Sequence, residues 1–187
     1  MRGANMRGAY SSCQYAGSPG RRSAIMVGIT PTPMTSLEVR YAKEFLASWG
    51  SMDLNGHLAN TGYLNLAADV RMAFFAEHGF PPGEFQRIGF GPVIRKEELE
   101  YFREITLHEV VTVTHAALGL SPDGSRFIVE NEIWSSRGER AAVVRSTGGW
   151  LDFRERKLVA PPAALREALL KTPRAAGYVD LSPPRAD

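Results

Sequence analysis

A single cysteine, Cys13, occurs in 187 residues. That excludes an intrachain disulfide and a thiolate metal cluster, and it suits a reducing compartment, so a cytoplasmic protein is expected. Long apolar runs are missing as well. None approaches the roughly 20 residues of a membrane-spanning helix, and no apolar segment of the kind that directs secretion occurs near the start. Net charge is small: 22 Lys+Arg against 20 Asp+Glu leave +2. This gives no reason to expect nucleic acid or a membrane as partner. Three common hydrolase and nucleotide signals are also absent: the G-x-S-x-G elbow, the H-E-x-x-H zinc helix and the G-x-x-x-x-G-K-[ST] phosphate loop.

Acidic residues are missing from the beginning of the chain. None precedes Glu38, whereas Arg2, Arg7, Arg21 and Arg22 do. Arg-rich, acid-poor beginnings can be organelle transit peptides. Here Gly3, Gly8, Gly17, Pro19 and Gly20 interrupt any continuous amphipathic helix. Residues 1–36 are therefore expected to form a disordered extension, with Met26 and Met34 as alternative starts.

What remains has an ordinary globular composition, 44% hydrophobic and 22% charged, enough for one domain with a real core. We place it at residues 37–162. Residues 163–170 read as a short helix, and the tail beyond Pro173, with Pro183-Pro184, reads as loose.

The domain is organised around residues 53–79. Asp53-Leu54-Asn55-Gly56-His57-Leu58-Ala59-Asn60 is dense in polar groups and turn formers. Then Tyr63, Leu66, Ala67, Val70 and Phe74, with Leu64, Ala68 and Phe75 beside them, recur at helical spacing. Asp69, Arg71 and Glu77 fall largely off that face. Gly79 supplies a left-handed stop, and Pro81-Pro82 cannot continue the helix. A polar loop carrying a carboxylate and an imidazole thus feeds the N-terminus of a buried helix, where free backbone N–H groups and the helix dipole converge.

Residues 37–49 read as an extended segment and residues 81–91, with two prolines and three glycines, as a connection. Four strands follow, over residues 92–104, 109–120, 126–135 and 140–153. Ser121-Pro122-Asp123-Gly124 turns the second into the third as a hairpin. Strand, long helix, then an antiparallel meander is an α+β layout. One helix cannot cover both faces of such a sheet, so a homodimer or homotetramer is expected.

Asp53-x-x-Gly56-His57-Leu58-x-Asn60-x-x-Tyr63-Leu64 resembles the D-x-x-G-H-V-N-N-x-x-Y signature of hot-dog acyl-CoA thioesterases. It is similar in particular to the 4-hydroxybenzoyl-CoA thioesterase branch. The resemblance covers residues 38–162, including a Tyr101-Phe102-Arg103 segment. It implies a hot-dog fold, a five-stranded antiparallel sheet wrapped around one long central helix, paired into dimers with sites at the interface. It implies acyl-CoA as substrate, with coenzyme A part of the substrate and no separate cofactor. Asp53 matches the family's catalytic carboxylate, and Asn60 the position whose backbone N–H polarises the thioester carbonyl. Ala59 departs from the pattern, replacing the first of the paired asparagines.

Thioester hydrolysis passes through a tetrahedral oxyanion, and loss of one preorganised N–H donor typically raises such a barrier by ~3 kcal/mol. Asp53 then attacks the carbonyl or activates a water. His57 orients Asp53 or donates to the carbonyl, Gly56 lets backbone approach the ligand, and Tyr63 frames the site. No metal is expected, because Asp53 and His57 alone do not make a site. Each residue also has a structural alternative: Asp53 as the acceptor of a turn, His57 as a packed side chain. His78, His108 and His115 read as structural, at a helix end or on strand surfaces. Arg154, Arg156 and Lys157 read as a solvated cluster. Three rival functions are hydrolysis of acyl groups on a carrier protein, a non-catalytic acyl-CoA-binding module, and a dehydratase using His57.

Overall fold

The apolar stripe after the polar loop becomes helix α1 (Asn60–Glu77), which buries Tyr63, Leu66, Ala67, Val70, Phe74 and Phe75. Gly79, at φ 91°, ends it. The Phe80 N–H donates to the Phe75 carbonyl at 2.8 Å and the Gly79 N–H to that of Ala76 at 3.3 Å, satisfying two carbonyls of the last turn. These coordinates come from a computed structural model, which describes residues 40–182. The proposed extension over residues 1–36 lies outside them.

The sheet follows the order β1-β3-β4-β5-β2. Its strands are β1 (Tyr41–Leu46), β2 (Phe90–Tyr101), β3 (Val110–Leu120), β4 (Arg126–Trp134) and β5 (Arg140–Asp152). All four pairings along this path are antiparallel. Gly124, at φ 75°, turns β3 into β4. One face of the sheet packs on α1. Val111, Val113 and Ile133 meet Leu66, Ala67 and Val70 near the helix start, while Phe127, Val129 and Trp150 meet Phe74 and Phe75 towards its end. This is the helix-wrapping sheet that the resemblance implies.

Three elements depart from the expectation. Residues 81–91 are not a bare connection but contain α2 (Pro82–Ile88). Pro82 stands at its first position, where a missing N–H removes no helical bond, and Gly89 is its left-handed cap. The prolines and glycines punctuate a two-turn helix, and its Phe85 is buried. The sheet also exceeds five strands. β6 (Lys157–Val159) folds back on β5, and β7 (Arg174–Asp180) runs parallel to β3. The segment beyond Pro173 is therefore not loose up to Asp180. β7 takes the edge of β3 at residues 117–120, beyond the point where β1 stops. Between β6 and β7, α3 (Ala163–Leu170) buries Leu165, Ala168 and Leu169.

Candidate active site

The loop before α1 is shaped by its own backbone. The Asp53 N–H donates to the His57 carbonyl at 2.8 Å, and the Gly56 N–H donates to the Asp53 carbonyl at 3.2 Å. Gly56 sits at φ 76°, the left-handed corner such a tight loop needs. Two further bonds pin the loop to the fold: Leu58 N–H to the Ile105 carbonyl and Ala59 N–H to the Ser51 carbonyl, both 2.8 Å. Gly62 allows the close packing, since a Cβ there would stand 2.5 Å from Leu58 Cδ1.

Asp53 is exposed, yet held. Its Oδ1 accepts the N–H groups of Asn55 at 2.8 Å and His57 at 3.1 Å. Among the described residues Oδ2 has only the Asn55 amide, at 3.4 Å. The His57 backbone N–H is the main influence holding the carboxyl below the usual aspartate value, with the Asn55 backbone and side chain adding to it. Asp53 is therefore ionised at neutral pH with one oxygen nearly free.

The start of α1 lacks a side-chain cap, because its N-cap is Ala59. Asn60 compensates in part: its Oδ1 accepts the Thr61 N–H at 2.9 Å. Among the described residues the Asn60 N–H itself meets no acceptor. An unengaged donor at the positive end of a helix lies beside an ionised carboxylate.

Asp53, His57, Asn60 and Tyr63 line one open cleft of about 450 Å³, together with Tyr101, Arg103 and Glu104. Gly56 forms the loop corner without lining this cleft. Tyr63 is buried and packs edge-on against Tyr101, centroids 5.2 Å apart. Burial raises its phenol above the ordinary value. The contact between His57 and Asp53 is made by the His57 backbone; the imidazole instead places Nε2 3.5 Å from Glu104 Oε2. Glu104 carries no signal in the sequence. It arrives because residues 102–106 zip onto both the loop and β5, through the His57–Thr106 bridge and the Ala141 carbonyl.

Other sequence expectations change. Arg71 does not point off the core: only 12% of its side chain is accessible. Its Nη1 donates to Ser146 Oγ at 2.7 Å and Asn131 Oδ1 at 3.2 Å, and Nη2 to Glu97 Oε1 at 3.4 Å. His115 is not on a strand surface but fully buried, with Nδ1 3.2 Å from Asn131 Nδ2. Asn131 Oδ1 already accepts from Arg71, so its amide nitrogen donates to Nδ1 and the His115 proton resides on Nε2. Among the described residues no group of three or more His, Cys, Asp or Glu is placed to hold a metal, and no helix is long and apolar enough to cross a membrane.

Solved structures share this architecture. The chain is similar to a Staphylococcus aureus protein determined in complex with CoA, at 18% identity and TM-score 0.64, covering 78% of this chain and 90% of that one. It is similar to a DHNA-CoA thioesterase from Staphylococcus aureus, at 18% identity and TM-score 0.65, covering 71% and 89%. A 1,4-dihydroxy-2-naphthoyl-CoA thioesterase from Synechocystis matches at 13% identity and TM-score 0.63, covering 71% and 96%. No curated protein sequence matches. These structural likenesses concern the fold. A family model described as the thioesterase-like superfamily matches residues 47–169, from the end of β1 through the Asp53 loop, α1 and the meander to α3, and the chain belongs to that superfamily.

Proposed function

We propose that the chain hydrolyses an acyl-CoA thioester to the free acid and CoA, with Asp53 and the Asn60 N–H as the catalytic pair. The observation that carries this reading is their shared cleft: an ionised carboxylate with one oxygen nearly free, beside a helix N-terminal donor with no acceptor. The thioester oxygen accepts the Asn60 N–H, which stabilises the oxyanion as the carbonyl becomes tetrahedral. Asp53 either adds to the carbonyl carbon and expels CoA thiolate, leaving an anhydride that water cleaves, or removes a proton from the attacking water. Both routes consume one water and yield one acid and one thiol. His57, through its backbone, keeps Asp53 oriented and ionised. Tyr63 with Tyr101 walls the cleft.

The reading includes a homo-oligomer. Among the described residues β2 ends the sheet path and pairs only with β5, which leaves its outer edge for the same edge of a second copy. Light scattering on the purified chain tests this, and a monomeric mass would refute it. The chemistry is tested by measuring CoA release from a panel of acyl-CoAs. Label in the Asp53 carboxyl after one turnover in heavy-oxygen water would identify nucleophilic attack with water opening the anhydride at Asp53, and trapping of an acyl-enzyme covers opening at the acyl carbon. Absence of CoA release from every acyl-CoA would overturn the proposal.

A further inference from the structure

The cleft at Asp53 lies at one end of a seam between α1 and β2. Helix and strand meet first where Tyr63 packs on Tyr101. Further along, Arg71 reaches Glu97 across it. Beside that pair is a cavity of about 150 Å³, walled by Ala68, Met72 and Phe75 of α1, Pro92 and Ile94 of β2, and Leu169 of α3. Residue numbers rise along the helix as they fall along the strand, so cleft and cavity lie along one seam.

We infer that this cavity receives the far end of the acyl group, which makes the substrate a medium-length aliphatic acyl thioester with an apolar tip. The inference rests on the thioesterase reading and names the substrate class of that site. From Asn60 to Ala68 the helix rises about 12 Å. An acyl group whose ring is attached directly to the carbonyl ends short of that, whereas a chain of medium length spans it. The volume matches cavities that stay dry and hold a ring or a few methylenes. The walls named above are apolar, and Arg71 and His115, which also line the cavity, turn their polar atoms to other partners or away from solvent. Arg71 is committed to Ser146, Asn131 and Glu97. His115 Nε2 is sealed from solvent. Ala68 is the residue that keeps the helix side of the cavity open, so it determines which chains fit.

The test compares kcat/KM for acetyl-, hexanoyl-, dodecanoyl- and benzoyl-CoA in the wild type and in Ala68→Phe. In the wild type dodecanoyl-CoA should exceed acetyl- and benzoyl-CoA by about 100-fold, since roughly three to four methylenes in the cavity at about fourfold each give that factor. In Ala68→Phe the dodecanoyl-to-acetyl ratio should collapse towards one. Equal rates across the panel, a preference for benzoyl-CoA, or a ratio that survives Ala68→Phe would overturn the inference and leave the thioesterase reading standing. Calorimetry with S-dodecyl-CoA and S-ethyl-CoA thioethers, which have no hydrolysable bond, reads the cavity independently of turnover. Tighter binding of the dodecyl thioether without hydrolysis of any acyl-CoA would retain the cavity and refute the hydrolase. Equal binding of the two thioethers would refute the cavity. Should Ala68→Phe not fold, Met72→Trp fills the same space from a flexible position, and the same ratio decides.

Discussion

At the start of α1, Asp53 lies open to solvent and its strongest partners are the backbone N–H groups of Asn55 and His57. About three turns further along the same helix, Arg71 is enclosed by Asn131, Ser146 and Glu97, with His115 behind Asn131. Both places gather polar groups, but their physical states are opposite. Backbone donors keep the Asp53 carboxylate charged while leaving an oxygen reachable by substrate. Inside the fold, Arg71, Asn131, Ser146 and Glu97 bind one another, His115 Nε2 is left without a partner among the described residues, and burial holds the His115 imidazole neutral. The group proposed to react is held by a loop and left accessible; the interior groups are held within the fold and sealed. Substitutions at the first place should change activity, and substitutions at the second should change stability.

The largest effect expected from the interior is a pH dependence. Burial, assisted by the Arg71 charge, lowers His115 from 6.5 to about 3. Below pH 6.5 the unfolded chain takes up a proton that the folded chain refuses until about pH 3. Stability is therefore lost as the pH falls through that window, and His115 has no effect above it. The full window corresponds to at most roughly 5 kcal/mol. Urea unfolding at pH 7 and pH 4.5 should show the wild type losing roughly 3 kcal/mol more than His115→Gln. Equal losses would mean that His115 is reached by solvent and the contrast between the two places is false.

Next in size is the ion pair. Arg71→Met leaves Glu97 without its cation and removes the guanidinium donor from Asn131. Because part of the pair remains accessible, a loss of about 3 kcal/mol is expected, at the low end for a broken buried pair. Denaturant titration measures it. A change below ~1 kcal/mol would place this pair with ordinary surface bridges. Smallest is Ala59→Asn. Ala59 is the N-cap of α1 and already has extended dihedrals, φ −64° and ψ 156°. A capping side chain there should raise stability by about 1 kcal/mol. No gain in melting temperature would show that Asn60 already supplies the whole benefit.

Much of this contrast was legible before any coordinates. The polar loop, the apolar stripe of α1 and the alternation in β3 to β5 are local patterns, and local patterns survive folding. The loop motif also placed Asp53, His57, Asn60 and Tyr63 together. The interior was not legible. Arg71 looks like an outward helical charge because helical spacing says nothing about long side chains that turn back beneath a sheet. His115 shares a face of β3 with Val111 and Val113, but a histidine on a strand reads as solvent-facing until that face is known to pack on α1. α2 was hidden because its prolines and glycines carry the signal of a loop as readily as that of a capped short helix. β7 contains Ala175, Ala176 and Gly177, poor strand formers, and forms because an edge of β3 is vacant beside it.

The central claim is that Asp53 acts in chemistry rather than only in its turn. Asp53→Asn retains an oxygen that can accept the Asn55 and His57 N–H bonds while removing the charge. The direct measurement is kcat/KM for CoA release by this variant and the wild type, with matched circular dichroism, mass and melting temperature. We predict an intact fold and a fall of about 100-fold or more. An intact variant as active as the wild type would contradict the account and reduce Asp53 to a turn residue.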